Sequence, residues 1–289
     1  MKIANAALVI LLSAATAYAT VHFTANESTS AAKEDALARV MRTGILRCAY
    51  YVFAPFTTRD PNTGTLSGLS IDMMEHISEN SSLKIEWVEQ IDFANWTPGL
   101  KSKRYDAICT PMWPEITSAR EVLFTRPMFY AGINVYARGD DHRFDNNLDA
   151  INNPDVTIAV IEGNATAFIA HNVFPKAKTL ESPENSAGGI STENVVTKKA
   201  DIFFWDENGV HDFLKTNPGG IHNVAPGHPV KTMPFELVVD TGEERLRDFL
   251  DATLQSLDDT GYTNMLLNKW ELNPGDFYRM AKPFVIDAK

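Results

Sequence analysis

Strand-like and helical segments alternate along two separate stretches of the chain, and this order restricts the fold more than any other feature. The strand-like runs are apolar and rich in β-branched or aromatic residues: ILRCAYY, LKIEWVE and YDAICT in the first stretch, VTIAVIE and ADIFFW in the second. Helical patterns separate them, such as those at 165–172 and 207–215. This alternation predicts an α/β protein with mainly parallel sheets flanked by helices.

A last strand-like run, FELVVD, follows the second stretch. It leads into a helical pattern that places Leu246, Leu250 and Leu257 on one face. This order predicts that the chain leaves one sheet, builds a second and returns to the first.

Residues 1–19 have the pattern of an export signal. Lys2 precedes the apolar run ALVILLSAATA, which ends in Ala17-Tyr18-Ala19, the small-x-small pattern that signal peptidase cleaves. The run is too short for a membrane anchor, since a helix needs about 20 residues to cross the hydrocarbon. We predict cleavage after Ala19, a polar leader at 20–35, and a soluble protein in a bacterial periplasm, because no cysteine for lipid attachment follows.

The net charge of −11 argues against partners that carry phosphate or acidic lipid. The longest basic run is only Lys101-Ser102-Lys103-Arg104. We therefore predict no nucleic-acid partner and no direct membrane insertion of the mature protein.

Motifs for catalysis, phosphate binding or metal binding are missing from the sequence. It contains no G-x-G-x-x-G, no G-x-x-x-x-G-K-[ST], no G-x-S-x-G and no H-x-x-x-H. His211 and His222 are interpreted as surface residues. The sequence thus predicts no catalytic residues, no cofactor and no metal.

Cys48 and Cys109 are the only cysteines, and both lie inside strand-like runs. An oxidising compartment would permit a disulfide between them, whereas their spacing matches no metal or redox motif. Buried free thiols and one disulfide both remain open at this point.

From about Ala36 to Glu271 the chain resembles the periplasmic solute-binding proteins of the polar amino-acid uptake class, the receptors of ABC importers also described as bacterial extracellular solute-binding proteins, family 3. The resemblance rests on blocks in the right order: TGILRCAYYVFAPF, GTLSGLSIDMMEHIS, KRYDAI, REVLFTRPMFY, VTIAVIEGNATAF, KKADIFFWDENG and DTGEERLRDFLDATLQSLDDTGYTNMLLNKW.

The resemblance implies a two-lobed α/β fold with the ligand held between the lobes. Two strands near 130–136 and 233–238 would cross between them. Lobe 1 would hold residues 36–132 with 236–275, lobe 2 residues 133–235, and a tail would follow at 276–289. Binding would favour a closed arrangement of the lobes.

In lobe 1 the resemblance implies four ligand-binding residues. Phe53 takes the place of an aromatic residue that stacks on the ligand, and Tyr50 takes the place of an acidic residue. Thr110 and Trp113 follow the D-A-I strand, where polar groups line the cleft of family members. Core packing is the alternative role for Trp113.

Arg120 departs from the family pattern. The family's carboxylate-binding arginine stands six residues before the Phe of F-[ST]-x-P, a position that Ser118 holds here, whereas Arg120 stands four before Phe124. Its guanidinium has the length and the bidentate fork to reach the cleft. The alternative is a surface charge paired with Glu121.

In lobe 2 the resemblance implies Asn164, Thr166 and Asp206 as ligand-binding residues. Gly163-Asn164-Ala165-Thr166 follows a strand and opens a helix, where free backbone N–H groups attract anions. Asp206 ends ADIFFW, and the family's acid at this place receives the ligand's ammonium group. A helix N-cap is the alternative role for Asn164 and for Asp206.

The predicted function is periplasmic capture of an amino acid, or of a related amine or carboxylate, by a monomer that delivers it to the membrane subunit of an ABC importer. One alternative is an enzyme resembling cyclohexadienyl dehydratases, in which Asp206 or Glu207 would supply the acid. Another is a receptor that reports the ligand to a membrane kinase.

Overall fold

The structure is a computed structural model that describes residues 34–92, 96–114, 118–183, 186, 189–273 and 276–281. The predicted export signal, its cleavage site after Ala19, and most of the leader and of the tail lie outside the described residues.

Strands and helices alternate as the sequence predicts. The strands are β1 Ile45–Tyr50, β2 Thr58–Arg59, β3 Leu66–Ser67, β4 Lys84–Gln90, β5 Ala107–Met112, β6 Val122–Phe124, β7 Phe129–Arg138, β8 Thr157–Ile161, β9 Lys178–Ser182, β10 Ile202–Trp205, β11 Ile221–Asn223, β12 Lys231–Asp240 and β13 Phe277–Tyr278. The helices are α1 Ala36–Thr43, α2 Leu69–Ser81, α3 Thr97–Lys101, α4 Ala165–Val173, α5 Ile190–Val196, α6 Glu207–Thr216, α7 Glu244–Asp259 and α8 Tyr262–Trp270. A 3-10 turn covers Leu148–Ile151.

The main sheet has the strand order β4-β1-β5-β12-β7-β10-β8-β9. Strands β4, β1 and β5 are parallel at one end, and β10, β8 and β9 are parallel at the other. The antiparallel strands β12 and β7 join the two parallel halves. The α/β prediction, with two mainly parallel halves, is confirmed.

Strands β7 and β12 are the two crossing strands. Their paired segment runs from Phe129 opposite Phe235 to Ile133 opposite Lys231. Beyond it β7 pairs with β10, and in the other direction β12 pairs with β5. Each strand is therefore shared by the two halves of the sheet.

Separate apolar clusters lie on the two sides of these crossing strands. One is built from residues between 36 and 131 and between 235 and 277, including Leu46, Met74 and Leu246. Another is built from residues between 133 and 225, including Ile158 and Phe204. Leu246, Leu250 and Leu257 of α7 pack into the first side, as their helical spacing predicts.

Cys48 and Cys109 form a disulfide, which decides between the two alternatives left open by the sequence. They lie on the neighbouring parallel strands β1 and β5, where Cys48 faces Ala107, and their α carbons are 5.5 Å apart. Both residues are fully buried. The bond therefore joins two central strands inside the core.

Helix α1 begins after an Asp35 cap and ends at Gly44. Gly44 has φ of 70°, in the left-handed region that glycine adopts without strain, and its N–H donates to the Val40 carbonyl.

Within the described residues, no helix is long and apolar enough to cross a membrane.

Candidate functional site

Most of the predicted ligand-binding residues lie at or just beyond the carboxyl ends of parallel strands. Tyr50 ends β1 and Trp113 follows β5, whereas Asn164 follows β8 and Asp206 follows β10. In open α/β sheets, ligands bind at this edge.

Trp113 contacts both sides of the molecule. It packs against the apolar cluster of the first half and against that of the second, and its ring lies edge-on to Phe235 at 5.8 Å between centroids. Its buried Nε1 has no hydrogen-bond partner in the described part of the chain. An indole held between the halves thus has a donor available for a ligand.

Tyr51, which the sequence analysis did not single out, packs into the apolar core of the first half. Its N–H donates to Thr110 Oγ1 at 3.2 Å, and its hydroxyl donates to the Pro111 carbonyl. Burial raises the pKa of Tyr51, and the negative charge of Asp206 raises it further. Asp206 of the second half is therefore close enough to act on a phenol of the first half.

The neighbouring aromatic residues pack onto the first half. Tyr50 lies edge-on to Trp87, with 5.9 Å between ring centroids. Phe53 stacks on Phe56 at 5.7 Å and remains partly exposed. Thr110 is fully buried in β5. A ligand role for these predicted residues stays a prediction.

Asp206 is buried, with only 1% of its surface exposed. Its Oδ1 accepts from the Gly209 N–H at 3.0 Å, so Asp206 is the N-cap of α6, the alternative role given for it above. Its other oxygen, Oδ2, has no hydrogen-bond partner among the described residues. Burial raises the pKa of Asp206 to about 6, and the bond from Gly209 opposes this shift.

The residues that follow Asp206 add further buried polar atoms. Asn208 is only 7% exposed, and its side chain interacts with the Asp206 carboxylate closely enough to oppose the rise in the pKa of Asp206, although no atom within the described ranges stands at full hydrogen-bond geometry to its amide. Gly209 lies against Trp205, since a β carbon on Gly209 would stand 1.3 Å from Trp205 Nε1. Asp206 Oδ2 and the Asn208 amide are thus neighbouring buried polar atoms that are available to pair with a ligand.

Glu207 has its carboxylate bound within the second half. Its Oε2 accepts from the Tyr136 hydroxyl at 2.6 Å and from Asn134 Nδ2 at 3.2 Å. Burial raises the pKa of Tyr136, and the charge of Glu207 raises it further. These partners hold Glu207 in place next to Asp206.

Asn164 caps α4, in line with the alternative weighed for it. Its Oδ1 accepts from the Thr166 N–H at 2.8 Å and from the Thr166 hydroxyl at 2.6 Å. Thr166 is buried, and its Oγ1 also accepts from the Ile161 N–H at 3.2 Å. The two side chains thus brace the turn between β8 and α4.

Arg120 has the outward arrangement that the sequence analysis gave as its alternative. Its side chain is 84% exposed, and its Nε lies 3.7 Å from Glu121 Oε1. Ser118, at the family's arginine position, is buried. A role for Arg120 in the cleft stays a prediction.

A two-lobed ligand-binding protein is the class that this fold and this edge of the sheet define. The sequence profile of the bacterial extracellular solute-binding proteins, family 3, matches residues 46–273. The chain belongs to this family.

Among its relatives, a probable amino-acid ABC transporter-binding protein of Haemophilus influenzae is 24% identical over 75% of this chain and 80% of its own length. A cyclohexadienyl dehydratase of Pseudomonas aeruginosa is 22% identical over 83% of this chain and 87% of its own length. The fold is similar to the crystal structure of an ancestral amino acid-binding protein described as a precursor of cyclohexadienyl dehydratase, with a TM-score of 0.67, 23% identity and coverage of 82% of this chain and 99% of that one.

Proposed function

We propose that this protein captures an amino acid, or a related compound with an amine or carboxylate, in the periplasm and delivers it to the membrane subunit of an ABC importer. The observation that carries the proposal is Asp206, a buried carboxyl group with one oxygen that has no hydrogen-bond partner among the described residues. The family and the name of the Haemophilus influenzae relative support it.

The ligand's ammonium group is the proposed partner of Asp206 Oδ2. A buried carboxylate is costly without a partner, and a cation that donates hydrogen bonds removes that cost. Trp113 Nε1, on an indole that packs against both halves, and the Asn208 amide supply further polar atoms for an ordered ligand. This set favours a small polar ligand over an apolar one.

Arg120 is the proposed partner of the ligand's carboxylate. Its present pair with Glu121 is long, and an exposed ion pair contributes only about 0–1 kcal/mol. The guanidinium can therefore turn toward a bound ligand at little cost, and its fork matches a carboxylate.

Closure of two lobes around the ligand is the proposed mechanism, with lobe 1 at 36–132 and 236–275 and lobe 2 at 133–235. The division of the apolar core on either side of β7 and β12 supports a boundary close to these residues, with Phe235 and Phe277 packing into the first side. We expect solution scattering to report a smaller radius of gyration at saturating ligand.

Export is the proposed route to the periplasm, with a monomeric mature protein that begins at Thr20. Mass spectrometry of the exported protein tests the cleavage site, and an intact Met1 would contradict it.

Calorimetric titration against amino acids, amines and dicarboxylates tests the proposal. We expect wild-type protein to bind an amino acid and Asp206→Asn to bind it at least about thirtyfold more weakly, since breaking a buried charge pair costs about 2–5 kcal/mol. Asp212→Asn is the matched control, because Asp212 is exposed on the same helix. Unchanged binding by Asp206→Asn would overturn the assignment.

A second pair of variants tests Arg120. Arg120→Ala should weaken binding of the same amino acid. Arg104→Ala is the control and should leave binding unchanged, because Arg104 is also an exposed arginine, paired with Glu89 at 2.9 Å, but is not proposed to contact the ligand. Equal binding by these two variants would leave Arg120 as a surface charge.

A dehydratase is the second candidate, favoured by the pKa of Asp206 near 6, which suits an acid that donates a proton at neutral pH. Similarity to the Pseudomonas aeruginosa enzyme adds weight to it. Turnover of a cyclohexadienyl substrate by the wild type, stopped by Asp206→Asn, would replace the binding-protein proposal. Glu207 is the less suitable acid, because its carboxylate already accepts two hydrogen bonds.

A further inference from the structure

Two histidines and an aspartate meet at the end of β7 that lies away from Asp206. His142 Nδ1 is 2.8 Å from Asp145 Oδ2, and His222 Nε2 is 2.7 Å from Asp145 Oδ1. The potential ligand atoms of the three side chains all lie within 4.8 Å of one another. Asn134 of β7 faces Trp205 beside Asp206, whereas this cluster adjoins Arg138, about 13 Å further along the strand.

Two chain segments hold the cluster together. His222 lies on β11, which pairs with β7 so that His222 faces Ala137. His142 and Asp145 lie on the turn after β7, and the Asn146 N–H donates to the Val224 carbonyl just beyond β11 at 2.7 Å. The three side chains therefore meet without any rearrangement of the backbone.

Both ring nitrogens of His222 face acceptor oxygens. Nδ1 is 3.0 Å from the Arg138 carbonyl oxygen, and Nε2 is 2.7 Å from the Asp145 carboxylate. A neutral imidazole carries one N–H and can satisfy only one of these oxygens. A metal ion at Nε2 leaves the Nδ1–H of His222 to donate to the Arg138 carbonyl, so one imidazole can serve both contacts.

A metal ion fits this position by the usual chemistry of histidine ligands. A metal-bound histidine normally donates its other ring N–H to a carbonyl or a carboxylate, and the Arg138 carbonyl is placed to accept from Nδ1 of His222. Within the described ranges, the ion pairs of Asp145 are with His142 and His222, so no lysine or arginine there neutralises its charge.

We propose that His142, Asp145 and His222 bind one divalent first-row transition metal ion, such as Zn²⁺. Imidazole with carboxylate suits zinc, nickel and copper. Metal–nitrogen bonds of about 2.0–2.1 Å place tetrahedral ligand atoms about 3.3 Å apart. The present contacts of 2.8 Å and 2.7 Å to Asp145 must each lengthen by about 0.5 Å to reach that spacing, and His142 and Asp145 are both exposed side chains.

Each imidazole binds the metal through a ring nitrogen that carries no proton, and a proton present on that nitrogen moves to the other ring nitrogen or to the buffer. With three protein ligands, water completes the coordination. The site lies on the second half of the molecule and uses none of the residues proposed to bind the amino acid.

Calorimetric titration of tag-free, chelator-treated protein with zinc chloride tests this inference. We expect saturable binding of one equivalent. Removing a partner outside the ligand shell typically weakens metal binding about 10–100-fold, so His222→Ala and His142→Ala should each weaken it by at least about 100-fold. His142→Ala is the safer variant for folding, because His142 is exposed and lies outside β11.

His171→Ala is the matched control, since His171 is an exposed histidine with its Nε2 3.2 Å from a Glu181 oxygen and should leave zinc binding unchanged. Amino-acid binding by His142→Ala should also remain at the wild-type level, which separates this test from the proposed function. The proposal is overturned if the wild type takes up no single equivalent, if His142→Ala keeps the wild-type affinity, or if His171→Ala loses as much affinity as His142→Ala.

Discussion

Replacing Asp206 with asparagine should change the pH dependence of stability of the ligand-free protein. Asparagine keeps an oxygen that can accept from the Gly209 N–H, but it removes the charge that burial disfavours. We therefore expect the free energies of unfolding of the two proteins to diverge with pH, even though asparagine adds amide donors of its own.

The magnitude follows from the pKa of Asp206, raised by burial from 3.8 to about 6. Because the folded form binds the proton more tightly, this group stabilises the fold fully below pH 3.8. That contribution is lost as the pH rises through about 6. A shift of about two units corresponds to about 3 kcal/mol, and the full burial of Asp206 calls for no reduction by solvent.

Urea denaturation without ligand, followed by tryptophan fluorescence between pH 4 and pH 8, measures this effect. Relative to Asp206→Asn, the wild type should lose between about 2 and 3 kcal/mol of stability across this range, because part of the contribution is already lost at pH 4. The pH-independent cost of the new amide cancels in the comparison. Asp212→Asn should show no such divergence. A constant difference between wild type and Asp206→Asn would refute the reasoning, because it would mean that Asp206 is not a buried, unpaired acid.

Three further substitutions test other parts of the structure. Cys48→Ser with Cys109→Ser should lower the free energy of unfolding by about 4 kcal/mol on the chain-entropy estimate for their sequence separation of 61. Chemical denaturation would contradict this if the variant matched the wild type. Glu236→Gln should make the protein about 1 kcal/mol more stable than the wild type at pH 8. Burial raises the pKa of Glu236 to about 7, so its charge destabilises the fold at this pH, and solvent screening reduces that cost. Equal pH profiles of unfolding would contradict the prediction. Gly209→Ala should displace Trp205 and weaken amino-acid binding, and unchanged calorimetric affinity would show that this contact does not position the site.

The fold could be predicted largely because local patterns agree with the tertiary structure. The strand-like runs all form strands, which are largely buried except for the edge strand β4, and the helix that ends at Gly44 ends there because glycine accepts the left-handed cap. The returning run 235–240 is part of β12, which reaches both halves of the sheet. Periodicity and turn residues carry this information within a short window of sequence.

The candidate site depends on contacts that no short window contains. The Cys48–Cys109 bond requires β1 and β5 to be neighbours, which the sequence spacing does not reveal. The charge of Asp206, a residue of the other half, raises the pKa of Tyr51. Tyr50, its neighbour in sequence, packs instead against Trp87 of β4.

The histidine cluster shows the same limit in another way. His222 is 77 residues from Asp145, so a search for paired histidines at helical spacing cannot find it. The environment of Asp206 could not be predicted for a similar reason. Its position after a strand predicted a polar contact, but the burial that leaves Oδ2 without a partner in the described chain arises only in the folded protein.

A crystal structure of the protein with the amino acid selected by calorimetry tests the central claim most directly. We predict the ligand nitrogen about 2.7–3.2 Å from Asp206 Oδ2, with Trp113 in contact with the same ligand. A ligand bound between the lobes with Asp206 Oδ2 still lacking a partner, or a ligand bound elsewhere, would contradict the account.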